Sequence, residues 1–418
     1  MHRHHDGAGD RLAAGAVRVP GNHRPPTDVL GRLSPAVDRR RWLRLAGGAL
    51  VAGWAAACAS PRGKPWLAAA PRAPVRPVRV SRDRVIREVA GLRPYRADGF
   101  VVRAERFGSK LLVHNYGHGG GGVTLSWGTA DMAAELVTDS GSEGDVAVLG
   151  AGAVGLATAR LLQRRGRTVT IRTRDLPSNT TSNMAGAQWS PSTVSDNLDG
   201  PFGDQFERAA RLAYRHFQNL VGPDYGVRWI DNYFVGERRQ SGRGYASRIR
   251  DLYPEWQELE GDEHPFPTRH ARRVATMFIE PPRYLRALMR DFRIAGGRVV
   301  VGEVADRRQL AALPEPIIVN CTGLGAKALF GDDALTPIKG QLVVLRPQAA
   351  VDYLSIGGGR FSTGGSQYMF PRTDGILLGG TFERGVDTLE PDPEETGRIL
   401  ANHRAFFEAM EGKAGRSR

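Results

Sequence analysis

The sequence predicts an α/β fold with a Rossmann-like domain, and three observations support this prediction. Residues 145–149 form a short apolar, β-branched run of the kind that makes a buried parallel strand. A glycine-rich turn and a helix-like stretch follow at once, and a second β-branched run lies at residues 168–171. The composition, 41% hydrophobic and 24% charged over 418 residues, suits two or three globular domains.

The glycine-rich turn has the spacing that binds the pyrophosphate of a dinucleotide. Gly150 permits the tight turn, Gly152 lets the backbone approach the phosphates, and Gly155 lets the helix pack on the strand. Ala153 and Val154 form the first turn of that helix, whose N–H groups and dipole attract anions. The pattern therefore predicts a dinucleotide site here.

The end of the second strand leaves two assignments open. Many dinucleotide sites carry an acidic residue at this point to bind the ribose hydroxyls. Here position 174 is Arg and the nearest carboxylate is Asp175. Either Asp175 binds the ribose after a one-residue shift, or Arg174 meets a phosphate.

Nearly all of the net charge of +14 lies in the N-terminal region. Residues 1–96 carry 19 Lys and Arg against 6 Asp and Glu, whereas the rest of the chain carries 39 against 38. The body is nearly neutral and has no basic stripe interleaved with aromatic residues, so nucleic-acid binding is not expected.

The first 60 residues predict an export signal. Residues 38–44 are rich in arginine, residues 45–57 form an apolar run, and small residues precede Cys58. The apolar run is 13 residues long, shorter than the roughly 20 that a membrane-spanning helix needs. The Arg39-Arg40 pair with Trp42 and Leu43 resembles a twin-arginine signal, which exports folded proteins to the periplasm or cell envelope.

Cysteine usage predicts neither a disulfide framework nor a metal site. Cys58 and Cys321 are the two cysteines, and no ligand spacing typical of a metal centre occurs. Cys58 resembles the lipidated cysteine of bacterial lipoproteins, although Ala55 stands where a larger aliphatic residue is usual. A lipid on Cys58 and an unmodified Ala-rich segment both remain open. Residues 61–79 contain several prolines and predict an extended linker.

Several segments make the chain resemble the D-amino-acid oxidase family of flavoproteins. The most specific is residues 114–124, where His-Asn-Tyr-Gly-His precedes four glycines. The resemblance implies an FAD-binding domain joined to a mixed-sheet substrate domain, with FAD as the cofactor. The other matching segments are residues 91–94, 179–189, 319–323, 368–371 and 378–382.

The resemblance also implies the residues that contact FAD. Residues 179–189 correspond to a Thr-rich loop and a following helix that hold the phosphates and the flavin edge. The glycine run at residues 119–122, which we expect between two strands, suits the flavin O2 side. His114 and His118 are interpreted as structural residues. Beyond the glycine turn, the implied contacts are Thr180, Thr181, Ser182, Gly186, Ala187, Gln188, Val304, Thr322, Gly119, Gly122, Val123 and Thr124.

Three residues are implied at the substrate. Arg93 is the candidate clamp for the α-carboxylate, because a guanidinium can bond both oxygens in one plane. Tyr368 would add a hydroxyl to the same carboxylate, and the Gly120 carbonyl would accept from the substrate amine. The flavin carries the redox chemistry and the protein supplies position and electrostatics.

The matching segments stand in circularly permuted order. The Gly-Leu-Arg-Pro and histidine-glycine segments come last in the family but here precede the dinucleotide turn, so we expect residues 129–144 to join the original termini. The predicted organisation is an export signal (1–60), a linker (61–79), a permuted segment (80–144), the FAD-binding domain (145–225 and 301–340) and the substrate domain (226–300 and 341–418).

Two departures from the family bear on specificity. Gly364 stands in place of a lid tyrosine, and Phe382 stands where relatives that oxidise acidic substrates carry Arg. The predicted activity is oxidative deamination of neutral or bulky D-amino acids by FAD and oxygen. The alternatives are a dehydrogenase for D-amino acids, glycine or sarcosine that reduces a quinone, and an exported protein of this fold without activity.

Overall fold

The structure, a computed structural model, describes residues 74–239 and 244–416. The predicted export signal, Cys58 and most of the predicted linker lie outside the described residues. The last part of the predicted linker packs against the body. Val78 is 2% exposed, and the Tyr353 hydroxyl donates a hydrogen bond to the Arg76 carbonyl at 2.9 Å.

A six-stranded sheet forms the Rossmann-like half of the described chain. Five of its strands are parallel and the edge strand β2 is antiparallel. The central strands are apolar and fully buried, as a parallel sheet covered on both faces requires. In spatial order the strands are β2 (Val101–Phe107), β3 (Lys110–Tyr116), β10 (Ile317–Asn320), β4 (Val146–Leu149), β5 (Val169–Thr173) and β9 (Arg298–Val301).

Four long helices cover this sheet or pack on its covering layer. Helix α1 packs on both α2 and α3, and α5 packs on α2. Their buried faces join the side chains of the sheet in one large hydrophobic core. The four are α1 (Gly122–Asp139), α2 (Ala153–Arg164), α3 (Gly200–Gln218) and α5 (Pro281–Ile294), and the short helices are α4 (Tyr245–Arg248), α6 (Arg307–Ala311) and α7 (Gly325–Phe330).

Two local predictions are wrong. Residues 123–125 were expected to form a strand, but they begin α1, in which residues 129–139 also lie. Twelve residues of α1 are buried, so packing on α2 and α3 overrides the strand preference of Val-Thr-Leu. The connection to β4 is therefore residues 140–145, much shorter than expected.

The second wrong prediction concerns residues 179–189. The expected helix is a single 3₁₀ turn (Thr181–Met184). The following residues instead bond to β8 and the residues beside it: Trp189 N donates to Met277 O at 2.7 Å, and Ile279 N donates to Ala187 O at 2.9 Å. These backbone hydrogen bonds satisfy the groups that a helix would otherwise pair internally.

A mixed sheet of nine described strands forms the other half, which confirms the predicted fold class. The pairing of β12 with β6 is parallel and the other pairings are antiparallel. Helix α8 (Pro393–Arg416) packs on this sheet through Ile399, Phe406 and Met410. The spatial order is β1 (Val85–Tyr95), β11 (Thr336–Leu345), β14 (Gly375–Gly379), β13 (Tyr368–Arg372), β12 (Leu354–Ile356), β6 (Val227–Gly236), β8 (His270–Ile279) and β7 (Gln257–Glu260), with β15 (Glu383–Arg384) also on β11.

Across residues 74–239 and 244–416, none of the helices combines the length and apolar character needed to cross a membrane. Within the same ranges, no three His, Cys, Asp or Glu side chains are grouped so that they could hold a metal ion.

Burial of His118 predicts a pH-dependent stability. Its ring stacks on Phe100, its Nε2 lies 2.9 Å from Thr129 Oγ1, and burial lowers its pKa from 6.5 to about 3. The unfolded chain therefore binds one more proton at this residue between these two values. Stability should be fully retained above pH 6.5 and decline below it, with a slope from His118 of up to about 1.4 kcal/mol per pH unit.

Urea unfolding between pH 7 and 5 measures this slope. His118→Gln keeps a polar partner for Thr129 but cannot titrate. Its free energy of unfolding should therefore change less with pH, by up to about 1.4 kcal/mol per pH unit, which corresponds to one proton. Equal slopes in the two proteins would contradict the prediction.

Candidate functional site

One cleft of about 1280 Å³ receives the predicted site residues from both halves of the chain. It lies at the carboxyl ends of β10, β4 and β5, where open α/β sheets bind their ligands. Gly155 is the single predicted residue that does not line it. The predicted residues that do are Arg93, Gly119, Gly120, Gly122, Val123, Thr124, Gly150, Gly152, Ala153, Val154, Arg174, Asp175, Thr180, Thr181, Ser182, Gly186, Ala187, Gln188, Val304, Thr322 and Tyr368.

The turn between β4 and α2 has the geometry of a phosphate cradle. Gly150 has a φ of +99°, and a Cβ there would lie 2.7 Å from the Cys321 carbonyl oxygen. A Cβ on Gly155 would lie 2.0 Å from the Gly150 carbonyl oxygen, so this glycine permits the close approach of helix and strand. The N-terminus of α2 faces the cleft, as anion binding requires.

The Thr-rich turn lies directly across from this helix N-terminus. The Ala153 amide donates to Ser182 Oγ at 3.0 Å, which leaves the Ser182 hydroxyl proton free for an acceptor in the cleft. Arg372, which is 5% exposed, donates to the carbonyls of Asn183 and Ala185 at 3.3 and 3.4 Å. Residues of the substrate half thus fix the loop that faces the phosphates.

Thr322 is held on the opposite wall by a buried polar chain. The Asn320 side-chain oxygen accepts from the Thr322 amide at 3.1 Å and from its hydroxyl at 2.7 Å. Asn320 Nδ2 lies 3.2 Å from His114 Nδ1, and His114 Nε2 lies 3.3 Å from Glu105 Oε1. Burial lowers the pKa of His114, whereas Glu105 acts in the opposite direction. The sequence motif did not indicate this supporting role of Asn320.

The far end of the cleft contains Arg174 and Asp175 side by side. Arg174 Nε donates to Asp175 Oδ2 at 2.8 Å, and its Nη1 lies 3.7 Å from Glu303 Oε1. All three residues line the cleft together with Val304. The carboxylates of Asp175 and Glu303 and the guanidinium of Arg174 therefore all lie at the end of the cleft where the second strand of the dinucleotide fold ends.

Arg93 and Tyr368 come together at the other end because β1, β11, β14 and β13 are neighbours in one sheet. Arg93 lies over Gly340, where a Cβ would lie 2.3 Å from Arg93 Nη1. This Nη1 is buried and has no hydrogen-bond partner among the described residues. Burial raises the pKa of the Tyr368 hydroxyl, while the charge of Arg93 and a hydrogen bond to it act in the opposite direction. A buried, unpaired guanidinium nitrogen beside a phenol suits a carboxylate ligand.

The glycine run is a rigid turn that leads into a helix. Gly119 has a φ of +55°, and a Cβ there would lie 1.9 Å from the Thr193 carbonyl oxygen. The Gly120 amide donates to that oxygen at 3.0 Å. The 18-residue helix α1 then begins at Gly122, so a second helix N-terminus faces the cleft. The sequence interpretation missed this dipole because it assigned a strand here.

The glycine-rich segment at residues 357–365 is tied to α8. The Thr363 carbonyl accepts from Arg398 Nη1 at 2.7 Å and from Asn402 Nδ2 at 2.9 Å. Ser362 and Ser366 line the cleft on either side of this attachment. The segment that carries Gly364 in place of a lid tyrosine is thus fixed at its centre.

Several cleft residues had no signal in the sequence. Their positions follow from sheet register and loop packing, which a single sequence does not reveal. They include Arg172, Tyr245, Glu303, Phe234, Ile356 and Gln367.

Both halves of the chain are similar in sequence to a known protein family. A family model described as FAD dependent oxidoreductase matches residues 22–136 and 145–417. The chain is 30% identical over 280 residues to D-amino-acid oxidase of Streptomyces coelicolor, covering 64% of this chain and 78% of that protein. It is 26% identical over 280 residues to human D-aspartate oxidase, covering 64% and 77%. Among solved structures, glycine oxidase from Geobacillus kaustophilus aligns with a TM-score of 0.47 at 17% identity, covering 64% of this chain and 79% of that one.

Proposed function

We propose that this chain, which belongs to the DAO family of FAD-dependent oxidoreductases, oxidises D-amino acids to 2-oxo acids. Ammonia and hydrogen peroxide would be the other products. The proposal rests mainly on Arg93, which lines the cleft. Its Nη1 is a buried cationic donor that has no hydrogen-bond partner among the described residues. An α-carboxylate supplies the two acceptors that a guanidinium binds most strongly.

FAD, the cofactor of this family, fits the residues present. The backbone at Gly150 and Gly152, the α2 N-terminus and the Ser182 hydroxyl would hold its pyrophosphate. The α1 N-terminus and the glycine turn before it would lie at the flavin. When bound, FAD accepts a hydride from the substrate α-carbon and passes the electrons to oxygen.

The chain itself binds and orients the substrate. Arg93 and the Tyr368 hydroxyl hold the carboxylate, and the Gly120 carbonyl accepts from the neutral amine. Fixing both groups presents the α-hydrogen to the cofactor, so position rather than acid-base chemistry supplies the rate enhancement. The imine that leaves the cleft hydrolyses in water to the 2-oxo acid and ammonia.

Anaerobic flavin spectroscopy tests this function. D-alanine or D-phenylalanine should bleach the yellow protein, whereas the L-enantiomers should not. Air should then restore the colour if oxygen is the acceptor; colour restored by a quinone alone would identify a dehydrogenase. Bleaching by glycine or sarcosine alone would point to that substrate class, and no bleaching by any amine would overturn both enzyme proposals.

Phe382 is proposed to favour neutral side chains. Its ring centroid lies 5.9 Å from Arg93 Cζ, and its side chain lines the cleft. Phe382→Arg should raise kcat/KM for D-aspartate at least about tenfold and lower it for D-phenylalanine, because a second cation pairs with the extra carboxylate. Phe382→Leu is the matched control and should leave D-aspartate a poor substrate. Wild-type protein that turns over D-aspartate faster than D-alanine would contradict this proposal.

A circular permutation is also proposed. The Gly-Leu-Arg-Pro strand β1 pairs with β11 over residues 85–95, although it precedes the glycine turn in the chain. The exposed connection at residues 140–145 is long enough to join two neighbouring chain ends. A synthetic gene that restores the family order, with new termini at this connection, should yield a yellow, active protein.

Export by a twin-arginine signal is proposed from residues 38–57 alone. In a host with this pathway, Arg39→Lys with Arg40→Lys should retain the protein in the cytoplasm. Membrane retention abolished by Cys58→Ser would support lipidation of Cys58.

A further inference from the structure

Gln188 lies where both halves of the chain meet at the cleft. Its backbone carbonyl accepts from Thr124 Oγ1 at 3.3 Å, and it forms an isolated bridge with Phe278 of β8. The adjacent amide of Trp189 is bonded to Met277 O at 2.7 Å. The backbone is thus fixed on two sides, and the side chain lines the cleft.

The carboxamide of Gln188 is oriented by a buried asparagine. Asn232 is fully buried on β6. It lies on the same face of this strand as Phe234, whose side chain lines the cleft. Asn232 Nδ2 donates to Gln188 Oε1 at 2.7 Å. Among the described residues, none accepts a hydrogen bond from Gln188 Nε2. With its oxygen turned toward Asn232, the Gln188 carboxamide presents its N–H groups to the cleft.

A purely structural role explains Asn232 poorly. Its Oδ1 is buried and has no hydrogen-bond partner among the described residues. Leaving a buried amide oxygen unsatisfied destabilises the folded state by about 1–3 kcal/mol. An aliphatic side chain at position 232, like that of Ile230 on the same strand, would avoid this cost. Among the described residues, the one side-chain hydrogen bond of Asn232 is directed at Gln188, which lines the cleft.

We infer that Asn232 is a positioning residue that holds the Gln188 carboxamide as a hydrogen-bond donor toward the cofactor and substrate. The inference rests on the proposed function for the identity of the substrate, but FAD alone suffices to test it. Acceptor-rich groups such as flavin carbonyls and carboxylates match a donor in this position.

Asn232→Asp tests the direction of this donor. The aspartate cannot donate when ionised, so the Gln188 amide should rotate, donate to residue 232 and present its oxygen to the cleft. We expect the FAD dissociation constant, measured by flavin fluorescence, to rise about tenfold. Asn219→Asp, at the exposed end of α3, makes the same chemical change outside the cleft and should leave FAD affinity unchanged.

Two further variants keep the test decisive. Asn232→Ser adds no charge and shortens the side chain by one bond, which takes its hydroxyl out of hydrogen-bond reach of Gln188 Oε1. This variant should weaken FAD binding about fivefold, and it keeps the test available if the aspartate variant fails to fold. In a Gln188→Leu background, Asn232→Ser should add no further loss, because the amide it orients is gone.

An unchanged FAD dissociation constant in Asn232→Ser would overturn the inference. The inference would also be wrong if Asn232→Ser weakened FAD binding equally in the wild-type and Gln188→Leu backgrounds. Because affinity is measured without substrate, this result is independent of whether D-amino acids bleach the flavin.

Discussion

Arg93→Leu is expected to lower kcat/KM for D-alanine roughly a thousandfold while FAD remains bound. The variant removes the buried Nη1 donor and leaves the substrate carboxylate without its charged partner. Losing one member of a buried, hydrogen-bonded charge pair costs about 3–5 kcal/mol. Because about 1.4 kcal/mol corresponds to a tenfold change in kcat/KM, this cost matches a loss of roughly a thousandfold. Steady-state kinetics and the flavin spectrum of the same sample measure both quantities.

Two controls separate this role from general loss of charge on β1. Arg87→Leu removes a half-exposed arginine from the same strand, whose partner is Asp374, and should leave kcat/KM within about twofold. Arg93→Lys keeps the charge but not the planar pair of donors, so it should recover part of the activity. A leucine variant with nearly normal KM and kcat would remove Arg93 from the site.

Gly155→Val is expected to abolish FAD binding and to destabilise the fold by about 3 kcal/mol or more. The first side-chain carbon would lie 2.0 Å from the Gly150 carbonyl oxygen, a backbone atom that cannot move without opening the turn. Thermal unfolding of the apoprotein and flavin content after purification measure the two effects.

The matched control is Gly397→Ala in α8. This glycine is exposed, and no atom lies within 4 Å of the place where its Cβ would be. Alanine should stabilise the helix by about 0.5–1 kcal/mol and leave flavin content unchanged. If Gly155→Val retained its flavin, the packing role of the third glycine would be wrong.

The parts of the site that could be predicted are those with a local sequence signature. The turn from Gly150 to Gly155 is one, because strand, glycine spacing and helix all lie within 20 residues. The meeting of Arg93 and Tyr368 is another, although the residues are far apart in sequence, since the resemblance placed both in one site.

The remaining parts depend on tertiary contacts that leave no local pattern. The start of α1 at Gly122 was missed because Val-Thr-Leu favours a strand, and burial against two helices decides otherwise. The bond from Asn232 to Gln188 depends on how a strand of one half meets a loop of the other. Hydrophobic periodicity carries no information about such a meeting.

The short connection at residues 140–145 offers a place where the enzyme can be divided in two. It is largely solvent-exposed, and Gly141 has no neighbour within 4 Å of its Cβ position. The piece before it supplies β1 to one sheet and β2 and β3 to the other. Backbone hydrogen bonds join β1 to β11 and β3 to β10 of the piece after it, and β2 pairs with β3. Cleavage there would leave two fragments, one with the carboxylate-binding arginine and one with the phosphate-binding turn. Neither fragment alone would hold the complete site, so flavin reduction by an amino acid would report their reassembly.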